Sequence, residues 1–175
     1  MAVREVVIYP DPILRKKNAE ITVFDDKLKA LAEDMFDTMY KNEGIGLAGP
    51  QIAVNKRIVV IDIPEEDGTQ GNNKLILINP KITALMGEKV VSQEGCLSVP
   101  GYQDEVERYE RVSVEYQDVE GKSCTFDNVD GLLAVCLQHE IDHLEGKVFV
   151  DMLSRLKRER LKKKYERYNK ERHGE

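Results

Sequence analysis

From Leu28 to Tyr40 the apolar positions recur at intervals of three and four: Leu28, Leu31, Ala32, Met35, Phe36, Met39 and Tyr40. That period places them on one stripe of a helix, predicted over residues 25–42, and Gly44 stands where such a helix stops. The short β-branched run over 58–63 has strand length and reads as a buried strand. A polar, turn-like stretch from Asp67-Gly68 to Asn73 separates it from Leu75-Ile76-Leu77-Ile78, so the two runs predict a hairpin. Val112, Val114 and Tyr116 alternate with polar residues, the pattern of a strand with one wet face. Residues 131–145 are mostly apolar and predict a buried helix, whereas 155–172 predict a highly charged one. Strands followed by a late helix, with no internal repeat, imply an α+β fold. In it, antiparallel sheets pack around the buried helix, and a C-terminal helix is added.

Length changes this picture little: 175 residues favour one domain. The expected division is a main domain over 1–154 and a basic helical tail over 155–175, part of the same domain or appended to it. Charge adds more. The net charge is −6, yet residues 155–175 hold ten Lys/Arg against four Asp/Glu, a net of +6, which leaves the other 154 residues at −12. Such a segregated basic end suggests an acidic partner for the tail. No apolar run is long enough to cross a bilayer, so no membrane partner is expected, and the first residues carry no signal-type apolar region. Three scattered cysteines, Cys96, Cys124 and Cys136, make no disulfide framework. A reducing cytoplasmic setting is expected.

The candidate chemistry sits in the buried helix. His139-Glu140-Ile141-Asp142-His143 puts two imidazoles four residues apart, on one helical face, where both can reach one ion. Glu140 is placed to act on water at that ion as a general base. A catalytic site of this type takes three protein ligands and keeps one position open. The third histidine of the metzincin pattern would fall at position 149, which is Phe149. Cys96, in the loop Glu94-Gly95-Cys96-Leu97-Ser98, is the best remaining candidate. Glu94 and Asp142 are carboxylates beside ligands, and one of them can pair with Arg108 to fix the site from behind. Gly44-Ile45-Gly46-Leu47-Ala48-Gly49-Pro50-Gln51 allows close backbone approach to a ligand but lacks the Lys-Ser/Thr of a phosphate loop. A metallopeptidase shares the helical motif and stays open on the histidines alone. So does a binding module with a structural metal, although four-ligand spacing is missing.

Together these three segments resemble the peptide deformylase family, in its order and approximate spacing. The resemblance extends through Tyr9-Pro10-Asp11-Pro12-Ile13-Leu14-Arg15 and on to Gln138 and Asp142-His143-Leu144-Glu145-Gly146, and covers about residues 5 to 155. One departure is Gly49, where the family usually has alanine; a looser loop is expected there. The resemblance implies a metal-dependent hydrolase that removes the N-formyl group from the initiator methionine of nascent polypeptides. It implies one ion per chain, Fe(II) natively, with zinc, nickel or cobalt able to substitute. It implies Cys96, His139 and His143 as ligands and Glu140 as the base, with the Gln51 amide and the Leu97 N–H as oxyanion donors. Ile45 and Gly46 would hold the peptide backbone. Ile45, Leu132, Val135 and Cys136 would help line the methionine pocket. In some members a C-terminal helix contacts the ribosome, which the basic tail here would suit.

Overall fold

The computed structural model describes residues 2–174; Met1 and Glu175, the ends of the two expected segments, lie outside the described residues. Helix α1 runs Asp26–Lys41, and the Asp25 side chain accepts from the Leu28 N–H at its start, as an N-cap does. Strands β1 (Gly46–Ala48), β2 (Ile58–Asp62), β3 (Lys74–Cys96), β4 (Val99–Gln117) and β5 (Ser123–Val129) follow. Helix α2 spans Gly131–Leu144 and α3 spans Arg155–His173. The strands form one antiparallel sheet in the order β1-β2-β3-β4-β5. This is the α+β arrangement expected from the sequence.

The β2 run is apolar because both of its faces are covered. Ile58 and Val60 pack with Leu28, Ala32, Met35, Phe36 and Met39 of α1. Val59 and Ile61 point the other way and pack with Ala134, Leu137, Ile141 and Leu144 of α2. Side chains alternate along a strand, so one five-residue strand serves two cores. The predicted hairpin is present, with Ile61 opposite Leu75 and Val59 opposite Leu77.

The structure departs from the sequence pattern at two strands. The strand beginning at Leu75 continues to Cys96, because residues 79–95 pair with β4 through a series of bulges. Val112 and Val114 face α2, yet Ser113 between them is also buried. A bulge sets Ser113 against β5, where its hydroxyl takes the Asn128 N–H at 2.9 Å, so the outer face is not evenly wet.

Helix α3 lies on a third core. Leu161 and Tyr165 are buried with Val6, Ile8, Leu14, Val99, Val106 and Phe149. Leu156 and Tyr168, the other large apolar residues of this charged helix, are exposed. The Tyr165 hydroxyl donates to the Pro100 carbonyl at 2.6 Å, and Lys157 pairs with Asp104 at 3.0 Å.

Candidate metal centre

The centre forms where the β3–β4 turn meets α2. Gly95 pairs with Gln103 and Cys96 with Val99, so β4 carries Pro100, Gly101 and Tyr102 without counterparts on β3. Gly101 has φ +77°, a conformation that glycine adopts without strain. A bulge of this kind re-aims a side chain, and the Cys96 thiol is turned toward α2. Its Sγ lies 3.4 Å from His143 Nε2. One ligand atom each from Cys96, His139 and His143 lie within 4.8 Å of one another.

The surroundings fit a cation. Glu94 Oε1 lies 2.7 Å from His139 Nδ1, which leaves Nε2 of that ring for the centre. Arg108 grips the same carboxylate with two bonds, Nε to Oε2 at 2.8 Å and Nη2 to Oε1 at 2.9 Å. Its Nη1 donates to Asp142 at 2.7 Å. The sequence reading allowed one of the two carboxylates for Arg108; it holds both. Burial pushes the Glu94 carboxyl up, but Arg108 and then His139 hold it down, at about 2. Burial keeps His143 well below the usual histidine range, hence neutral and able to offer a lone pair. Glu140 sits against His139 with its carboxyl raised to about 7, chiefly by burial. Its Oε1 is buried with no partner among the described residues. Three donors and a free carboxylate oxygen are what a catalytic divalent ion requires.

A cleft of about 750 Å³ opens over this floor. Ile45, Gly46, Gln51, Cys96, Leu97, His139 and Glu140 all line it. Gln51 is oriented by the Ala48 N–H, which donates to its Oε1 at 2.9 Å. Its Nε2 then points at Cys96 Sγ, 3.3 Å away, and at Ser98 Oγ, 3.1 Å away. A Cβ on Gly46 would lie 2.6 Å from Glu140 Oε2, so that glycine makes room for the carboxylate. Leu132, Val135 and Cys136 are not among the lining residues of this cleft. Leu132 is exposed in the first turn of α2, Val135 is half-buried, and Cys136 packs in the sheet–helix core.

The model of the polypeptide deformylase family matches residues 3–159. This chain belongs to that family. A peptide deformylase of Alkalilimnicola ehrlichii is 48% identical over 167 residues, 95% of this chain and 91% of its own length. One from Bartonella quintana is 43% identical over 100% of this chain and 98% of its own. The crystal structure of an Ehrlichia chaffeensis peptide deformylase in complex with actinonin is 43% identical, with a TM-score of 0.89 over 96% of this chain and 98% of that one.

Against the deformylase pattern, Gly49 does not loosen its loop as the sequence suggested. A Cβ there would meet the backbone carbonyls of Val54 and Lys56 at 2.7 and 2.8 Å. The glycine is a tight contact beneath the turn that carries Gln51. Three residues beside the candidate site have contacts to which the sequence assigned no role. Ser98, fully buried, supports Gln51. Gln138 bonds both the N–H and the carbonyl of Tyr109, at 3.0 and 2.9 Å, and so fixes α2 to β4 one residue before His139. Phe149 stacks on the His139 ring. Only Gln138 left a sequence signal, a polar residue inside an apolar helix.

Proposed function

We propose that this chain removes the N-formyl group from the initiator methionine of newly made polypeptides and releases formate. The observation that carries this reading is the Cys96, His139 and His143 cluster at the floor of an open cleft, with the Glu140 carboxylate beside it. An ion held by those three residues supplies Lewis-acid polarisation of the formyl carbonyl and an acidified water. Glu140 takes the proton of the attacking water and passes it to the leaving methionine amine. The Gln51 amide and the Leu97 N–H donate to the oxygen on which negative charge develops. Ile45 and Gly46, both at the wall of the cleft, hold the peptide backbone, and Ile45 also contacts the methionine side chain. Glu94, Arg108 and Asp142 keep His139 in register.

The native ion in this reading is Fe(II), one per chain, with zinc, nickel or cobalt able to replace it. Support for a soft divalent metal comes from the thiolate and two imidazoles; the preference for iron comes from family resemblance. No helix among the described residues is long and apolar enough to cross a membrane, and the proposed setting is the cytoplasm. The exposed Lys162, Lys163 and Arg167 of α3 suit docking to ribosomal RNA, through phosphate contacts that weaken with salt.

The deciding experiment is formate release from formyl-Met and acetyl-Met peptides by protein loaded anaerobically with each metal. Turnover of the formyl peptide alone, with Glu140→Ala retaining metal but losing about 10²–10⁴-fold in rate, is the expected result. Equal turnover of both peptides would show that the pocket is not built for formyl.

A further inference from the structure

The cleft rim at Gly44–Gly46 is held by more than the sheet. Asp62 closes β2 and is fully buried. Its N–H donates to the Ile45 carbonyl at 2.9 Å. Its side chain accepts from the Gly71 N–H at 2.7 Å and from the Tyr40 hydroxyl. Its own carbonyl accepts from Gln70 Nε2 at 3.0 Å, and the same amide nitrogen donates to the Gly44 carbonyl at 3.2 Å. A single side chain from the polar β2–β3 loop thus bridges the end of β2 to the rim.

We propose that Gln70 is a positioning residue for the part of the substrate beyond the formyl-methionine, acting through Gly44; this rests on the deformylase reading above. Gly46 faces Glu140 and marks the reacting end of the rim. It is independently held by its pairing with Ile61. Gly44 lies two residues further along, roughly 7 Å at the rise of an extended chain. A peptide extended along the rim therefore passes Gly44 only with its later residues. Gly44 is also pressed against the opposite wall, since a Cβ on it would meet Leu97 Cδ1 at 2.8 Å. A loosened Gly44 changes the width of the cleft at that point. Loss of the Gln70 amide frees the Gly44 carbonyl, while the Gly44 N–H stays bonded to the Met39 carbonyl at 2.9 Å, so the far end loosens and the catalytic floor stays intact.

The test compares formyl-Met amide with formyl-Met-Ala-Ala-Ala, using metal-loaded wild type, Gln70→Ala, Gln70→Glu and Asn72→Ala. Asn72 is exposed in the same loop and serves as control. For both Gln70 variants KM for the longer peptide should rise about 3- to 10-fold, the worth of one modest hydrogen bond. Their kcat, their KM for formyl-Met amide and their thermal midpoints should stay near wild type, and Asn72→Ala should match wild type throughout. The Glu variant keeps the shape of glutamine and lacks the donor, so it separates the bond from the bulk. Unchanged KM for the longer peptide, or equal increases with both substrates, overturns the positioning role. A wild-type protein that releases no formate from either peptide overturns the deformylase reading itself, and the positioning role with it.

Discussion

The Phe149 ring lies over the His139 imidazole, with centroids 6.1 Å apart and planes 27° from parallel. Phe149 is 1% exposed and belongs to the core that also holds Val99, Leu161 and Tyr165. One side chain therefore serves packing and the orientation of a candidate ligand. Phe149→Ala should cost roughly 3–5 kcal/mol in stability and weaken metal binding. Phe149→Leu should restore most of the stability and little of the metal affinity. Urea unfolding of the apoprotein and competitive metal titration separate the two effects; wild-type affinity in the leucine variant would deny the ring its orienting role.

Gly46→Ala should retain metal and lose activity. The added methyl would stand 2.6 Å from Glu140 Oε2, well inside contact distance, so the carboxylate must swing away. A loss of about 10²-fold, the lower bound for a displaced general base, is expected in formate release. Full activity would mean that the carboxylate has another productive position.

Asp104 ties the start of α3 to the cleft wall through Lys157 and also accepts from Tyr102. The Tyr102 hydroxyl first, then Lys157, hold its carboxyl down to about 2. A carboxylate lowered on folding stabilises the protein above its unfolded value, and that contribution fades as pH falls from about 4 through the folded value. Asp104→Asn should therefore show a shallower loss of stability between roughly pH 4 and pH 2. Urea midpoints across that range measure it, and an unaltered acid slope would place the acid sensitivity elsewhere.

Every proposed catalytic residue precedes Leu156, so the sequence alone suggests that a deletion after it spares activity on free peptides. The structure changes that expectation. The deletion removes Leu161 and Tyr165 from the core beneath Phe149, at a cost of roughly 3–6 kcal/mol for two buried side chains. Substituting exposed Lys162, Lys163 and Arg167 with glutamate should instead leave stability near wild type and reduce ribosome co-sedimentation at low salt. Equal co-sedimentation of that variant would remove the RNA-docking role of α3.

The sequence displayed what depends on local period. His139 and His143 are four apart in a helix whose limits are written in its apolar residues, so their convergence was legible. So were α1 and the double-faced β2. Apart from the family resemblance, Cys96 stood out only as the best remaining thiol, since the bulge that aims it depends on pairing between Gly95 and Gln103. The junction of Glu94, Arg108 and Asp142 joins three elements, and no spacing rule specifies it. The length of β3 was hidden because residues 81–93 are mostly exposed and carry no clean alternation. Gln70 lay in a polar loop that reads as simple solvent exposure until the Gly44 carbonyl is found beside it. For α3, Leu156, Leu161, Tyr165 and Tyr168 make only a narrow, imperfect stripe by period, and contact with the N-terminal segment and β4 decides that two of them are inside.

Cys96 and His143 stand 47 residues apart in the chain, one at a sheet turn and the other near the end of a helix. During synthesis the thiol emerges long before either imidazole, and no earlier histidine exists to pair with it. A three-ligand pocket cannot form until α2 has left the ribosome and docked on the sheet. Capture of an ion at this candidate site would therefore mark the completion of tertiary structure, and each newly made molecule would pass through a metal-free stage. How quickly a cell loads that stage, and with which ion, becomes a question of supply at the moment of folding as well as of the affinity of the finished site.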